Sequence, residues 1–135
     1  MNTCPKLLLV LLLVGPGPAF AQGAGANLLT TFTNPTPAAY DYFGRSVAAV
    51  GTSRVLIGAY RDSNTRASAT GAAYLFNTNG TLVATFTNPT PAANDGFGFS
   101  VAAVGKDQVL IGTIFDDTGA TDAGAAYLFD LPYPR

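Results

Sequence analysis

Between Ser46 and Thr87 the apolar residues come in short runs, broken by Gly, Pro, Asn or Asp at intervals of about ten residues. That is the punctuation of antiparallel strands joined in a meander. The runs predict strands over Ser46–Val50, Arg54–Ala59, Ala72–Phe76 and Thr81–Thr87. A helix over Ser46–Val50 is disfavoured, because Gly44 and Gly51 leave less than two turns between breakers. Val55-Leu56-Ile57 does not alternate, as expected of a strand covered on both faces. Leu82, Ala84 and Phe86 do alternate with Val83, Thr85 and Thr87, so the fourth strand reads as outermost and half solvated. Asn79-Gly80 predicts a type I′ hairpin, with positive φ at both central residues. Asn79-Gly80-Thr81 also matches a glycosylation sequon, but the turn accounts for Gly80 as well.

The pattern then repeats. TFTNPTPAA begins at Thr31 and Thr85, SVAAVG at Ser46 and Ser100, and VLIG at Val55 and Val109, each pair 54 residues apart. GAAYLF begins at Gly71 and Gly124, 53 apart, so one residue is missing from the second copy's loop after VLIG. A period near 50 points to propeller blades or a similar array. Asn34–Pro37 and Asn88–Pro91 read as stiff crossings from an outer strand to the next inner one, since two of their four residues lack an amide donor. Leu28–Thr33 duplicates the outer strand Leu82–Thr87 with no first unit ahead of it, and the second unit reaches Asp130-Leu131-Pro132 without an outer strand of its own. The fold class expected is all-β, with two four-stranded antiparallel propeller-type blades. Segment 28–33 would complete the second blade, of the same chain or of another copy. The organisation expected is a leader over 1–21, an orphan outer strand and Pro-rich crossing over 22–39, blades over 40–93 and 94–131, and a tail over 132–135.

Lys6, the eight apolar residues Leu7–Val14 and Ala19-Phe20-Ala21 have the layout of a cleaved export signal, with the mature chain starting near Gln22. Eight residues fall far short of the roughly 20 needed to span a bilayer, so no membrane span is expected after cleavage. Cys4, the only cysteine, precedes the apolar run, which leaves the mature chain without disulfides or thiol chemistry. Removing Lys6 leaves six basic against eight acidic side chains. That balance excludes nucleic acid as a partner, because neutralising phosphates needs clustered Lys and Arg.

Phe43-Gly44 followed by Gly58-Ala59-Tyr60, and Phe97-Gly98 followed by Gly112-Thr113-Ile114, resemble FG-GAP repeats, the blades of integrin-α-type propellers and of many bacterial surface and secreted proteins. The family's Pro after Gly-Ala is missing from both copies, and the second has also replaced Ala and Tyr. A Phe followed by Gly at the start of a strand suits a ring that plugs the gap between sheets and a backbone that must approach closely. Relatives of this kind often bind calcium in a loop between the first two strands. Here Gly51-Thr52-Ser53 and Gly105–Gln108 are tight turns with too few carboxylates for the 6–8 oxygens Ca²⁺ takes, so calcium is not carried over. The resemblance implies a secreted or cell-surface binding or adhesion module for an extracellular protein or glycan. A structural segment of a longer repeat protein is the alternative. Two units do not close a ring that typically needs 4–8, so self-association of three or four chains is a second expectation.

The chain contains no His and no Glu, which removes Ser-His and Cys-His chemistry and the commonest metal ligand. No catalytic residue, metal ligand or cofactor is expected. Asp41 with Asp95, and Asp62 with Asp116, are repeat equivalents, which favours shared loop or capping roles. Asp116, Asp117 and Asp122 make the densest acidic cluster; a weak cation site is conceivable there, and a polar Gly/Asp turn is the better explanation. Tyr40, Tyr42, Tyr60 and Phe115 flank strand ends and are candidates for a binding face or for packing between blades.

Overall fold

The computed structural model describes residues 25–63 and 67–132; the proposed leader lies outside them. The described residues form two antiparallel sheets and no helix, and therefore contain no helix long and apolar enough to cross a membrane. The first sheet is an up-and-down meander of β1 (Ser46–Val50), β2 (Arg54–Ala59), β3 (Ala72–Asn77) and β4 (Leu82–Thr87), in that order. The second orders β5 (Phe97–Val104), β6 (Gln108–Thr113) and β7 (Ala125–Asp130) the same way. β2 is covered on both faces, with Leu56 and Ile57 buried, whereas edge strand β4 is half solvated.

Three expectations change. The second sheet has three strands, not four: after β7, Leu131 turns into the core and donates its amide to Asp107 O at 2.8 Å instead of starting a new hairpin. Leu28–Thr33 joins no ladder; it lies along the first sheet, with Thr30 Oγ1 donating to Thr78 O at 2.8 Å and the Phe32 ring tilted on Phe76 at 5.4 Å. The β3–β4 hairpin is a three-residue loop rather than a type I′ turn. Gly80 N donates to Asn77 O, Asn77 N donates to Thr81 O, and only Gly80 of the Asn-Gly pair has positive φ, 94°. Asn79 keeps its side chain for Thr81 N, an Asx contact that a three-residue loop with one left-handed residue accommodates.

The sheets stack through one core. Val50, Leu56, Ala73, Leu75 and Phe86 of the first meet Phe97, Val109, Ile111 and Leu131 of the second. Phe97, fully buried, is the plug, and its amide donates to Thr70 O at 2.9 Å. Gly58, Gly71 and Gly98 allow the contact. A Cβ on Gly71 would stand 2.1 Å from Phe97 O, and one on Gly98 would stand 2.3 Å from Ala72 O. Ser46 Oγ adds a bond to Gly98 O at 2.8 Å. The opposite face of the first sheet holds a smaller cluster, Ile57, Ala59, Ala72, Tyr74 and Phe76, against which Phe32 and Phe43 pack.

Candidate functional site

The loops at one end of both sheets are set by a buried clasp that occurs twice. In the first copy, Asn34 Nδ2 donates to Asp41 Oδ2 at 2.8 Å and to Asp62 Oδ2 at 3.4 Å, while Asn34 Oδ1 accepts from Thr36 N. Asp41 Oδ2 also accepts from Ala38 N, and Asp62 Oδ2 from the Tyr74 hydroxyl at 2.7 Å. Because Tyr74 spends its proton on Asp62, the 3.2 Å contact to Thr36 Oγ1 has Thr36 as donor. The second copy reproduces these bonds. Asn88 Nδ2 reaches Asp95 and Asp116 at 2.6 and 3.1 Å, Ala92 N donates to Asp95, and the Tyr127 hydroxyl donates to Asp116 at 2.7 Å. The four carboxylates are almost fully buried, and the ion pair Lys106–Asp107 lies at the surface. Hydrogen bonds from neutral donors satisfy them, as buried charge requires.

These clasps fix titration behaviour as well as shape. Burial opposes charge on Asp116, but hydrogen bonds from Thr118, Tyr127 and Asn88 outweigh it and hold the carboxyl below its ordinary value of 3.8. A folded-state pKa below the unfolded one gives stability that is present above the unfolded value and lost as pH falls through the folded one. Asp116→Asn is therefore expected to be less stable by about 2 kcal/mol at neutral pH. In urea titrations at successive pH values, that deficit should shrink once pH falls below 3.8. Burial first, then the bond to Asp62, pushes the Tyr74 hydroxyl up, so it remains a donor throughout the physiological range.

The paired aspartates are thus acceptors in the clasps. Asp116 is committed to Asn88, Tyr127 and Thr118, Asp117 Oδ1 accepts from Asp122 N at 2.8 Å, and among the described residues no group of three acidic side chains is placed to hold a metal ion. Asn34, Asn88, Tyr74 and Tyr127 are absent from the sequence-based candidates. Their signal was the exact repetition of NPTP and GAAYLF, which reads equally well as crossing and strand.

The clasps present an aromatic ledge across the junction of the sheets. Tyr42 stacks on Tyr60 at 5.3 Å, Tyr60 meets the edge of Phe99 at 5.3 Å, and the Arg45 guanidinium lies 4.8 Å from the centre of the Phe99 ring. Tyr60 and Phe115 line one open cleft with Arg61, Asn94 and Gly96. Of the four aromatic candidates, Tyr42, Tyr60 and Phe115 share this ledge; Tyr40 lies outside the cleft and is 77% exposed. Tyr40 and Tyr42 have φ of 69° and 55°, a left-handed backbone that side chains rarely adopt. Their repeat equivalents, at φ 69° and 72°, are Asn94 and Gly96, the residue types that suit it.

No curated protein matches the chain. The model of the FG-GAP repeat matches residues 30–76 and 81–129. Each match starts just before or within the outer-strand sequence, crosses the Asn-Pro-Thr-Pro loop and takes in three further strands, so one clasp falls within each. With both copies matched over well more than half its length, the chain belongs to the FG-GAP repeat family.

Proposed function

We propose that this chain is an exported, non-catalytic binding or adhesion module that engages an extracellular glycan or protein through the aromatic ledge. One observation carries the reading: Tyr42, stacked on Tyr60 in the ledge, stands on left-handed backbone where the sister repeat uses Gly96. A strained residue of this kind costs of order 1–3 kcal/mol and clusters at functional sites. Tyrosine also supplies the rigid, amphipathic contact area on which recognition surfaces draw, and Arg45, Arg61 and Asn94 add polar groups beside it.

The test is a screen of the folded protein on glycan and extracellular-matrix arrays. Saturable binding is expected, weakened at least about tenfold by Tyr60→Ala, as for a central aromatic anchor. Absence of saturable binding at high concentration would overturn the reading. Tyr40→Asn, which copies the sister repeat outside the ledge, is expected to leave binding unchanged while raising stability by up to about 1 kcal/mol, since it relieves a left-handed tyrosine that packs on little. A thermal or urea melt on the same sample reads the second effect.

A further inference from the structure

The contact between the sheets is heterologous: the first sheet offers one face and the second offers the opposite face of the same repeat unit. On the first sheet the contact uses Val50, Leu56, Ala73 and Leu75; their repeat equivalents on the second, Val104, Leu110, Ala126 and Leu128, are exposed. On the second sheet it uses Val101, Ala103 and Val109, whose equivalents Val47, Ala49 and Val55 lie on the opposite face of the first sheet, Val47 being 66% exposed. One chain thus carries both halves of its own internal interface a second time: the face of the second sheet is exposed, and that of the first, partly covered by Phe32 and Phe43, leaves Val47 and Ala49 exposed. We infer that a second copy of this chain docks head to tail, the exposed face of the β5–β6–β7 sheet of one copy against the Val47 face of the next.

Two further details fit that occupant. Phe43-Gly44 repeats Phe97-Gly98, yet a Cβ on Gly44 would touch nothing, while one on Gly98 would collide with Ala72 O. The seat that Phe97-Gly98 finds on the first sheet, beside Gly58, Gly71 and Ala72, has its equivalent in an open groove lined by Ser100, Gly112, Gly124 and Ala125. Docking places Gly44 of one copy in that groove of another. Phe32 packs on Phe76 at 5.4 Å and 58°, and Phe86 of β4 packs on Phe129 at 5.1 Å and 53°. Segment 28–33 therefore sits against the first sheet as β4 sits against the second. In the docked pair it lies beside the free edge of β7, where its backbone adds the fourth strand of that blade. Repetition of a heterologous contact closes into a ring when the rotation allows, and three or four copies make six or eight blades.

This inference goes beyond ligand binding and is read without any ligand. The full chain, expressed with its leader, is measured by light scattering across a range of concentrations, with circular dichroism to verify the fold. Wild type is expected to be oligomeric, a discrete trimer or tetramer marking closure. Val47→Asp and Leu128→Asp, at positions 66% and 55% exposed, should each give a folded monomer. Because each variant keeps one face intact, mixing the two should give a 1:1 heterodimer and nothing larger. Leu110→Asp, on the same exposed face as Leu128, takes its place if β7 is disturbed. A folded wild-type monomer at all concentrations, variants that associate like wild type, or variants that fail to pair on mixing would each overturn the inference.

Discussion

Gly71→Ala is expected to cost about 4 kcal/mol or more and to leave little folded chain in urea concentrations that wild type withstands. Two penalties fall on one methyl group. The backbone at position 71 has φ of 85°, where any residue with a Cβ is strained. The methyl carbon would also stand 2.1, 2.6 and 2.8 Å from Phe97 O, N and C, backbone atoms that cannot swing away. Relief would require separating the sheets at the point where Phe97 N bonds Thr70 O, which would open the core around Phe97 itself. Gly105→Ala is the control. At φ 64° with nothing within 4 Å, it is expected to cost only about 1 kcal/mol. Equal midpoints for the two variants in urea would show that the close approach of the sheets contributes nothing to stability.

Asp62→Ala is the second large effect, expected to cost about 3 kcal/mol. The substitution deletes the acceptor that the buried Tyr74 hydroxyl uses at 2.7 Å and one of two carboxylates on Asn34. It also unties the Asn-Pro-Thr-Pro crossing from the loop after β2, since Asn34 spans both. Asp117→Ala, at an exposed position outside the clasp's carboxylate pair, should lie within about 0.5 kcal/mol of wild type. Urea melts of both variants against wild type decide the matter; an Asp62→Ala loss no larger than that of Asp117→Ala would mean that the clasp is ornamental to folding.

β1 and β2 begin and end at the residues where the hydrophobic runs place them, with Gly51 at the turn between them and Leu56 and Ile57 buried so that their register has no freedom. β4 was legible as an outer strand from its alternation, and Phe97-Gly98 as a plug and close-approach pair from the physics of ring and missing Cβ. The conformation of Asn79-Gly80 was not, since the dipeptide serves a two-residue and a three-residue loop equally and pairing beyond the turn decides between them. Nor was the clasp. Asn34 and Asp41 in the stretch before β1, Asp62 in the loop after β2 and Tyr74 on β3 lie on three separate segments, and only the stacking of loops over the strand ends brings them together. The ledge was half legible: Tyr60 and Phe115 stand at strand ends by simple counting, whereas the contact of Arg45 with Phe99 depends on how one sheet settles on the other.

The two clasps also bear on how such a repeat can diversify. Asn34, Asp41, Asp62 and Tyr74 have identical counterparts in Asn88, Asp95, Asp116 and Tyr127, although the second copy's loop after β6 is one residue shorter. Between those anchors the strand sequences SVAAVG and VLIG are kept, while residues at the loop ends differ: Tyr40 against Asn94, Tyr42 against Gly96, Tyr60 against Ile114, Arg61 against Phe115. Conformation is stored in the clasp and the repeated strands, and variation in the loop residues beside them. The loop surface can therefore be altered one residue at a time, with the frame that presents it left untouched.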